Sequence, residues 1–480
     1  MIEFNGGGTP SLQQTATACA YSLAGFTFYA LIVAVYNVYF HPLRKFPGPV
    51  LCRASSLLRY RHLFRGTSHL FIHDLHMQFG PVVRVAPNEL SFISPEAWKD
   101  IHSPIDVSRN DGEFVKDPKF YSFMSADGGN LVTVDLLTHQ SLRKEVASGF
   151  SERSIQSLEP IFQEYLDLLI RRLRDHSSNG ATIDLRDWIT YFSFDVIGKV
   201  ALGSDFGCLE HSDYHPWVQA ITTWTKEFMY IQMVAYHGFL WLIKFLMSVP
   251  FLQGRETHLN LTKTRLKSSL ASKREEKILL DTYLNIKQPL DFRELHSNIS
   301  LLLLAGSDTT ATLLISFFAL LSENPAAWDQ VCKEYLQACI NECMRVFPPN
   351  PVGAPRVTPK GGKMVADHWV PAGTIVSVAQ WSAFRHPDNF ADSDHFRPER
   401  FLKLGQYADD KFSVFQPFSY GHRNCLGRSF AYAEARLTLA RLVYNFDFTL
   451  SPESSMWTTK QKAYVMWSKG KLQAVLNPIR

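Results

Sequence analysis

A run of 25 residues near the amino terminus, from Ala16 to Phe40, contains no Asp, Glu, Lys or Arg. As an α-helix this run would be roughly 37 Å long, and about 30 Å is enough to cross the hydrocarbon core of a bilayer. Tyr36, Tyr39 and Phe40 lie at its far end, where aromatic side chains favour the membrane interface. The run therefore predicts a transmembrane anchor over 16–40. A cleaved signal peptide is the alternative, but its basic n-region and shorter apolar core are missing here.

The charges that flank this run predict its orientation. Glu3 is the only charged residue before it, whereas Arg44 and Lys45 follow almost at once. Because Lys and Arg next to a membrane span tend to stay in the cytoplasm, we expect residues 1–15 on the opposite side of the membrane and the body of the chain in the cytoplasm. The proline-rich stretch 41–50 predicts a stiff hinge between the anchor and the body.

Composition excludes several classes of protein. The 480 residues carry 49 Lys and Arg against 45 Asp and Glu, a net charge of +4 that is too small to argue for nucleic-acid binding. The seven cysteines are odd in number and sparse, which disfavours a disulfide scaffold. Cys339 and Cys343 lie four residues apart without a second pair of ligands, so we interpret them as small buried residues rather than a zinc site.

The body of the chain is predicted to be mainly α with minor β structure. Alternating apolar residues around the Pro87–Asn88 turn predict a hairpin over 80–93. Helical apolar spacing predicts helices over 151–174, 291–321, 335–346 and 428–444, and residues 374–378 are typical of a strand. The uncharged run 228–243 is short for a bilayer crossing and indicates a buried or interfacial helix.

The stretch from Phe418 to Gly427 carries the chemistry, and it is predicted to lie in a loop just before a helix. Cys425 can supply a thiolate, which binds haem iron and favours O–O cleavage. Gly421 and Gly427 allow the backbone to approach closely and to direct N–H groups at the sulfur. Arg423 can pair with a haem propionate, and Phe418 would shield the sulfur from water. A cysteine buried beside a glycine turn is the structural alternative. A phosphate loop is excluded, because that motif needs four residues between its glycines and then a lysine.

Several motifs in the same order resemble those of the cytochrome P450 family. Phe418–Gly427 matches the haem-ligand signature of that family, and Ala305–Thr310 matches its oxygen-activation helix. Glu342–Arg345 matches its Glu-x-x-Arg helix, and Pro398–Phe401 matches the short motif that completes the salt-bridge triad. The resemblance covers nearly the whole chain. It implies a cytochrome P450-like haem-thiolate fold over 51–480, preceded by a single transmembrane helix.

The oxygen-activation helix can be interpreted from its own residues. Ala305 and Thr309 are four residues apart and therefore share one face of the helix. Ala305 and Gly306 would leave space above a flat cofactor. Thr309 could hydrogen-bond dioxygen, and Asp308 could relay a proton from solvent, which makes these two the predicted catalytic residues. Without the cysteine motif, a polar patch or a kink in the helix would be the more common explanation.

The resemblance also implies a structural triad and further cofactor contacts. Glu342 and Arg345 are three apart on their helix, and with Arg400 they could form a buried ionic network that holds the cysteine loop. A surface ion pair is the alternative outside the family context. His139 and Arg143, one helical turn apart, and Arg356 would contact the haem propionates, although each could also be an ordinary solvated basic residue. A further set of aromatic residues could line the substrate pocket or simply pack in the core: Phe114, Phe120, Tyr121 and Phe123.

The function implied by the resemblance is that of a microsomal fungal monooxygenase. Heme b with Cys425 as its axial ligand would activate O2 and hydroxylate or epoxidise a hydrophobic small molecule of secondary metabolism. Electrons would come from NADPH through NADPH-cytochrome P450 reductase, with cytochrome b5 as an optional second donor. The chain would be a single-pass protein of the endoplasmic reticulum membrane, with a lumenal terminus over 1–15. Rearrangement or coupling without net oxygen insertion is the first alternative, and an inactive, truncated or haem-free family member is the second.

One segment departs from the family pattern. Only 17 positions separate Pro325 from Glu342, where family members usually have a much longer stretch with additional helices. The sequence therefore predicts a catalytic domain that is shortened between 325 and 342. The missing element would normally cover apolar surface, so we expect this flank to bear on both stability and activity.

Overall fold

A computed structural model describes residues 12–103, 112–121, 124–125, 128–177, 180–236, 254–273, 276–328, 330, 333–403 and 405–479. The predicted fold class is confirmed, because the described chain is mostly helical and contains four small sheets. Nineteen α-helices are present in these ranges. They are α1 Leu12–Tyr39, α2 Val50–Ala54, α3 Leu57–Arg65, α4 Ser68–Phe79, α5 Pro95–His102, α6 Pro118–Tyr121, α7 Leu136–Val146, α8 Glu152–Ser157, α9 Glu159–His176, α10 Leu185–Leu202, α11 Cys208–His211, α12 Pro216–Tyr236, α13 Gly254–Ala271, α14 Leu279–Leu284, α15 Phe292–Ser322, α16 Pro325–Trp328, α17 Lys333–Val346, α18 Gln380–Arg385 and α19 Arg428–Asn445.

The described strands form one five-stranded sheet and three smaller ones. The strands are β1 Val82–Ala86, β2 Glu89–Phe92, β3 Val115–Lys116, β4 Thr182–Asp184, β5 Arg356–Val357, β6 Lys363–Val365, β7 His368–Val370, β8 Ile375–Val378, β9 Phe446–Leu450, β10 Lys462–Ala463, β11 Trp467–Ser468 and β12 Gln473–Pro478. The large sheet has the order β1-β2-β8-β5-β3, in which only the β2–β8 pair is parallel. Strands β4, β12 and β9 form an antiparallel sheet, and β6–β7 and β10–β11 are two-stranded. The predicted hairpin over 80–93 is present as β1 and β2.

Helix α15 is the central element that positions the site. It begins after Asp291, whose carboxylate accepts hydrogen bonds of 2.8 Å from the backbone N–H groups of Arg293 and Glu294. Glu294 returns a 3.0 Å contact to the N–H of Asp291, which completes a capping box. From Ala311 to Leu321 every residue is buried, and the helix packs against α10, which is itself almost wholly buried. This apolar packing fixes the position of the polar residues in the middle of α15.

The amino-terminal helix α1 projects from the body of the molecule. Most of its side chains are exposed, including large apolar ones such as Tyr21, Phe26 and Leu31. By length and hydropathy it is a candidate membrane span, and it extends four residues before the predicted anchor. Helix α15 passes the same test but is mostly buried, so its apolar character reflects a place in the core. The exposed apolar surface of α1 suggests membrane anchoring.

The proline-rich hinge over 41–50 is well ordered. Pro42–Lys45 forms a turn of 3-10 helix in which Leu43 is completely buried. Beside it, Arg84 donates a 2.9 Å hydrogen bond to the carbonyl of Asn37 at the end of α1, and Arg53 donates one of 2.8 Å to that of Val38. These contacts attach the end of α1 to β1 and α2.

Two predicted segments differ from the structure. The helix predicted over 151–174 is divided into α8 and α9, with Leu158 between them, because Pro160 cannot continue the hydrogen-bond pattern of α8. The apolar run 228–243 contributes its first nine residues to α12, and residues 237–243 lie outside the described ranges.

The shortened segment borders an open apolar cleft. Helices α16 and α17 are separated by four positions, of which 329, 331 and 332 lie outside the described ranges. A cleft of about 690 Å³ lies between α8, α9, the start of α17 and the outer face of α19. Its walls include Phe162, Leu336, Leu437 and Val443. Apolar side chains thus face open space on this flank of the molecule.

Candidate functional site

The loop before α19 holds Cys425 in a backbone conformation that requires glycine at position 421. Gly421 has a φ of +77°, and a β-carbon there would lie 1.7 Å from the carbonyl oxygen of His102. No side chain fits in that space, so the loop can approach α5 only with a glycine at this position. The N–H of Cys425 donates a 2.8 Å hydrogen bond to the carbonyl of Phe418, which closes the loop. Gly427 then caps the start of α19.

The thiol of Cys425 lies deep in the protein but faces open space. Burial raises its pKa above the ordinary value, while a hydrogen bond from the Gly427 N–H and the nearby charges of Arg143 and Arg428 lower it. The side chain is nevertheless exposed. Phe418 packs against Tyr432 of α19, with 5.1 Å between ring centroids, beside the loop. The cysteine is thus surrounded by donors and cations that favour a thiolate once a metal binds it.

Two residues of α15 border open space in the middle of the helix. Ala305 is exposed and Thr309 is half-buried, although the residues around them are mostly buried. The hydroxyl of Thr309 donates a 2.7 Å hydrogen bond to the carbonyl of Ala305. Ala305 and Thr309 share one face of the helix, as their spacing predicts, and neither side chain is buried.

Gly306 and Asp308 differ from their predicted roles. Gly306 was expected to leave space above a cofactor, but a β-carbon there would lie 2.7 Å from Cδ1 of Ile197. The glycine thus allows α15 and α10 to pack closely. Asp308 was expected to connect with solvent, but its side chain is only 6% exposed and forms an ion pair with Lys469. Its carboxylate is held inside the protein because Lys469 neutralises it there.

A cluster of basic residues surrounds one carboxylate beside the cysteine loop. Glu113 Oε1 lies 2.9 Å from Nε of Arg423, 3.2 Å from Nε2 of His422 and 4.0 Å from Nη1 of Arg356. Arg143 donates hydrogen bonds to the backbone carbonyl and the side chain of Asn424, next to the cysteine. We call this group the basic cluster. Its members are His102, Lys116, His139, Arg143, Arg356, His422 and Arg423.

Several polar atoms of the basic cluster are buried without a hydrogen-bond partner among the described residues. They are Nδ1 of His102, Nδ1 of His139, Nε of Arg356 and Nδ1 of His422. Buried donors and cations of this kind favour an anionic ligand. The exposed side chains of Ala305 and Cys425, together with the unpartnered polar atoms of the basic cluster beside the cysteine loop, fit a flat cofactor that carries carboxylates. The residues present therefore fit a haem group.

A buried ionic network lies behind the cysteine loop. Arg345 Nε and Glu342 Oε2 are 2.7 Å apart, and Arg400 Nε lies 3.4 Å from the same oxygen, all with fully buried side chains. Arg400 also contacts Asp410, so that two guanidinium groups face two carboxylates. Arg345 further donates to the carbonyls of residues 384, 393 and 395. The network joins α17 to the segment that leads into the cysteine loop.

Sequence reasoning missed three residues of this site: Glu113, Asp410 and Lys469. Each is an ordinary charged residue that lies outside the recognised motifs. Glu113 is separated from Arg423 by 310 positions, and Lys469 from Asp308 by 161. Only the unpaired charges of the motif residues, positive for Arg423 and Arg400 and negative for Asp308, indicated that partners of opposite sign would be needed.

A smaller cleft lies next to the aromatic residues that were predicted to line a substrate pocket. Phe120 borders a cleft of about 240 Å³, together with Arg59, Tyr60 and Tyr236. Phe114 and Tyr121 are buried, at 3% and 8% exposure, and Phe123 lies outside the described residues. Among the described residues that were predicted to line a substrate pocket, Phe120 borders this cleft.

A glycine-dependent loop that holds an exposed cysteine at the start of a helix, with a basic cluster beside it, is the arrangement expected of a haem-thiolate protein. Among the described residues, no group of three or more His, Cys, Asp or Glu could hold a metal ion. The family model for cytochrome P450 matches residues 46–476. The chain belongs to the cytochrome P450 family.

Curated fungal proteins are similar over almost the whole chain. Cytochrome P450 monooxygenase tpeC of Talaromyces stipitatus is 37% identical, with 94% of this chain and 93% of that protein covered. Cytochrome P450 monooxygenase cpaH of Aspergillus oryzae is 35% identical, covering 94% and 92%. Cytochrome P450 monooxygenase 1 of Neocamarosporium betae is 34% identical, covering 94% and 96%. The chain is thus an oxidoreductase of the oxygen-incorporating P450 monooxygenase class.

The alignment with the T. stipitatus protein contains gaps in this chain. Ninety-four per cent of 480 residues is about 451, whereas the alignment with the T. stipitatus protein extends over 475 positions. About 24 aligned positions therefore have no residue in this chain. The relatives contain internal residues that this chain lacks.

Proposed function

We propose that the chain is a membrane-anchored monooxygenase that holds heme b through Cys425 and inserts one oxygen atom of O2 into a hydrophobic small molecule. The observation that carries this proposal is the exposed Cys425 thiol, which accepts a hydrogen bond from the Gly427 N–H. When bound, heme b supplies the activation of O2 and the electron transfer that no side chain can perform. The fungal relatives support a substrate of secondary metabolism.

The residues around the cavity have distinct roles in this proposal. Cys425 ligates the cofactor, and the cations of the basic cluster bind its propionates. Ala305 leaves room above the cofactor, and the Thr309 hydroxyl holds a proton at the cavity wall. Asp308 lies next to Thr309 in the sequence, and Lys469 holds its carboxylate in a buried ion pair. The buried network of Glu342, Arg345, Arg400 and Asp410 keeps the loop in place.

The electron donor and the cellular location are inferred from the family and from the amino-terminal helix. A cytochrome P450 needs a redox partner, and the net positive charge of the chain suits an acidic flavoprotein. We assign the donor as NADPH-cytochrome P450 reductase, with cytochrome b5 as an optional second donor. The exposed apolar helix α1 and the charges after it support a single-pass protein of the endoplasmic reticulum membrane whose body faces the cytoplasm.

The absorption spectrum of the reduced, carbon monoxide-treated protein tests the haem-thiolate assignment. We expect the wild type to show the long-wavelength Soret band that a thiolate ligand produces, and Cys425→Ser to lose it. Cys19→Ser is the matched control, because Cys19 is also exposed but lies in the anchor helix. An unchanged band in Cys425→Ser would contradict the assignment. A wild type that takes up no haem would instead support the haem-free alternative.

A second candidate function keeps the haem but omits oxygen insertion. The ion pair between Asp308 and Lys469 favours it, because the carboxylate is already engaged by a buried ammonium group and is only 6% exposed to solvent. Turnover under ¹⁸O₂ separates the two functions: one labelled oxygen in the product supports monooxygenation, and an unlabelled rearranged or coupled product supports the second candidate. With a monooxygenase, Thr309→Ala should reduce product per NADPH at least about tenfold, whereas Ser307→Ala, whose buried hydroxyl donates to the carbonyl of Leu303, should not.

A further inference from the structure

The basic cluster carries more positive charge than the described residues neutralise. Three of its members are guanidinium groups, those of Arg143, Arg356 and Arg423. Burial, together with the charges of these guanidinium groups, lowers the pKa of Lys116 well below its ordinary value. Burial also lowers the pKa of His139 to about 3, which leaves this imidazole neutral near pH 7. The three guanidinium groups stay protonated, so they bring a charge of +3 before any carboxylate is counted.

Glu113 is the one carboxylate that the described residues place in contact with these cations. Its side chain is 12% exposed, and its Oε1 atom lies close to both Arg423 and His422. Burial raises the pKa of Glu113, but the hydrogen bonds from His422 and Arg423 outweigh this effect and lower it below the ordinary value. Glu113 is thus ionised, and it reduces the charge of the cluster from +3 to about +2.

The remaining charge matches the cofactor. Heme b carries two propionates, each with one negative charge at neutral pH. Three guanidinium charges are therefore balanced by two propionates and one protein carboxylate. A buried charge without a partner destabilises a protein. The match between three cationic and three anionic groups therefore favours binding of the cofactor.

We propose that Glu113 is a residue of the haem site that acts as a third carboxylate beside the two propionates, holding Arg423 and His422 in place and setting the charge that the cofactor experiences. This inference rests on the proposed function, because it requires heme b in the cavity. Glu113 is a positioning residue: it acts through Arg423 and His422 and not on the substrate.

Two consequences follow from the sign of its charge. Reduction of the haem adds an electron to the cofactor, and a nearby carboxylate opposes this addition. Replacing Glu113 with a neutral residue should therefore make the midpoint potential more positive. In the haem-free chain, the same replacement leaves the guanidinium groups without a counter-charge, so the unfolding temperature should fall.

The experiment compares the full-length wild type with Glu113→Gln, Glu113→Asp and Glu89→Gln in detergent micelles. Glu89 is the matched control, because it also forms a partly buried ion pair with an arginine, Arg59, at 3.0 Å. The midpoint potential of the haem-loaded proteins is measured by redox titration, and the unfolding temperature of the haem-free proteins by circular dichroism. We expect a positive shift in potential for Glu113→Gln, a value near that of the wild type for Glu113→Asp, and no shift for Glu89→Gln.

The outcomes separate this inference from the proposed function. A wild type with the thiolate band and an unshifted potential in Glu113→Gln overturns the role of Glu113 and leaves the proposed function intact. An equal shift in Glu89→Gln also overturns it, because the effect would then not depend on the basic cluster. A wild type without the band overturns both. If Glu113→Gln fails to fold, Glu113→Asp is the test. The shorter side chain places its carboxylate farther from Arg423, so a slightly positive shift in midpoint potential supports the inference, and a negative shift overturns it.

Discussion

The ammonium nitrogen of Lys469 lies 2.5 Å from Oδ1 of Asp308, and both side chains are only 6% exposed. The same nitrogen donates a 2.9 Å hydrogen bond to the hydroxyl of Thr312, one turn further along α15. Lys469 comes from the segment between β11 and β12, so the carboxyl-terminal part of the chain holds the acidic residue of the central helix. Asp308 therefore has a defined partner, which comes from outside α15.

The first prediction concerns this pair. Lys469→Met should lower the free energy of unfolding by about 3–5 kcal/mol, because it leaves the carboxylate of Asp308 buried without a counter-charge. Adding Asp308→Asn should restore most of that loss, since no buried charge then remains. Lys471→Met, two residues away and exposed, is the control and should change little. Denaturant unfolding of the four proteins tests this, and additive losses in the double variant would contradict direct coupling.

The second prediction concerns the buried network behind the cysteine loop. Arg400→Ala should cost about 3–5 kcal/mol, because Glu342 and Asp410 lose a shared cation inside the protein. Arg397→Ala should cost at most about 1 kcal/mol, since its ion pair with Asp392 is partly exposed. Thermal unfolding and haem retention measure both variants. Equal losses in the two would show that the buried network does not stabilise the loop.

The third prediction separates steric exclusion from backbone strain at Gly421. Gly421→Ala places a methyl group on the carbonyl of His102, so we expect the loop to shift and the thiolate spectrum to be lost. Gly180→Ala is the matched control, because Gly180 has a similar φ of +71° but no atoms within 4 Å of the added β-carbon. It should cost only about 1–2 kcal/mol of left-handed strain. A normal spectrum in Gly421→Ala would exclude the steric explanation.

The fourth prediction is a pH dependence that arises from Glu434. This residue of α19 is 1% exposed, and burial raises its pKa to about 8. In the unfolded chain it would titrate near 4.5, so the folded state holds more protons between these values and loses stability as the pH rises from about 4.5 to about 8. Buried histidines act in the opposite direction, so the comparison is made between variants.

Glu434→Gln removes this contribution. Relative to the wild type, the variant should gain unfolding free energy steadily between about pH 4.5 and pH 8, and the difference should be constant above that range. Exposed Glu256→Gln is the control and should give a flat difference. Unfolding measured at several pH values tests this, and a difference independent of pH would show that Glu434 is ionised in the folded protein throughout.

The sequence predicted the parts of this molecule that depend on local spacing. The helix from Phe292 to Ser322, the hairpin of β1 and β2, and the loop before α19 each follow from patterns within some 30 residues. Such patterns alone are also compatible with a cysteine buried beside a glycine turn, and the family match over 46–476 favours the haem-ligand explanation.

The sequence could not predict the partners that come from distant segments. Glu113, Asp410 and Lys469 neutralise charges of the motif residues, but many other carboxylates and amines in the chain could have done so. Gly306 shows the same limit, because its close contact with Ile197 depends on how α10 crosses α15. Tertiary packing decides these positions, and a single sequence does not contain the crossing geometry.

The joint at the end of α1 has a mechanical consequence. Asn37 donates a hydrogen bond to the carbonyl of Ala54, and Arg84 and Arg53 bind the last carbonyls of α1. A helix embedded in a bilayer would therefore transmit its tilt directly to the rest of the molecule. The body would lean over the lipid at one set angle instead of turning freely on a tether, and the same patch of its surface would always rest nearest to the headgroups.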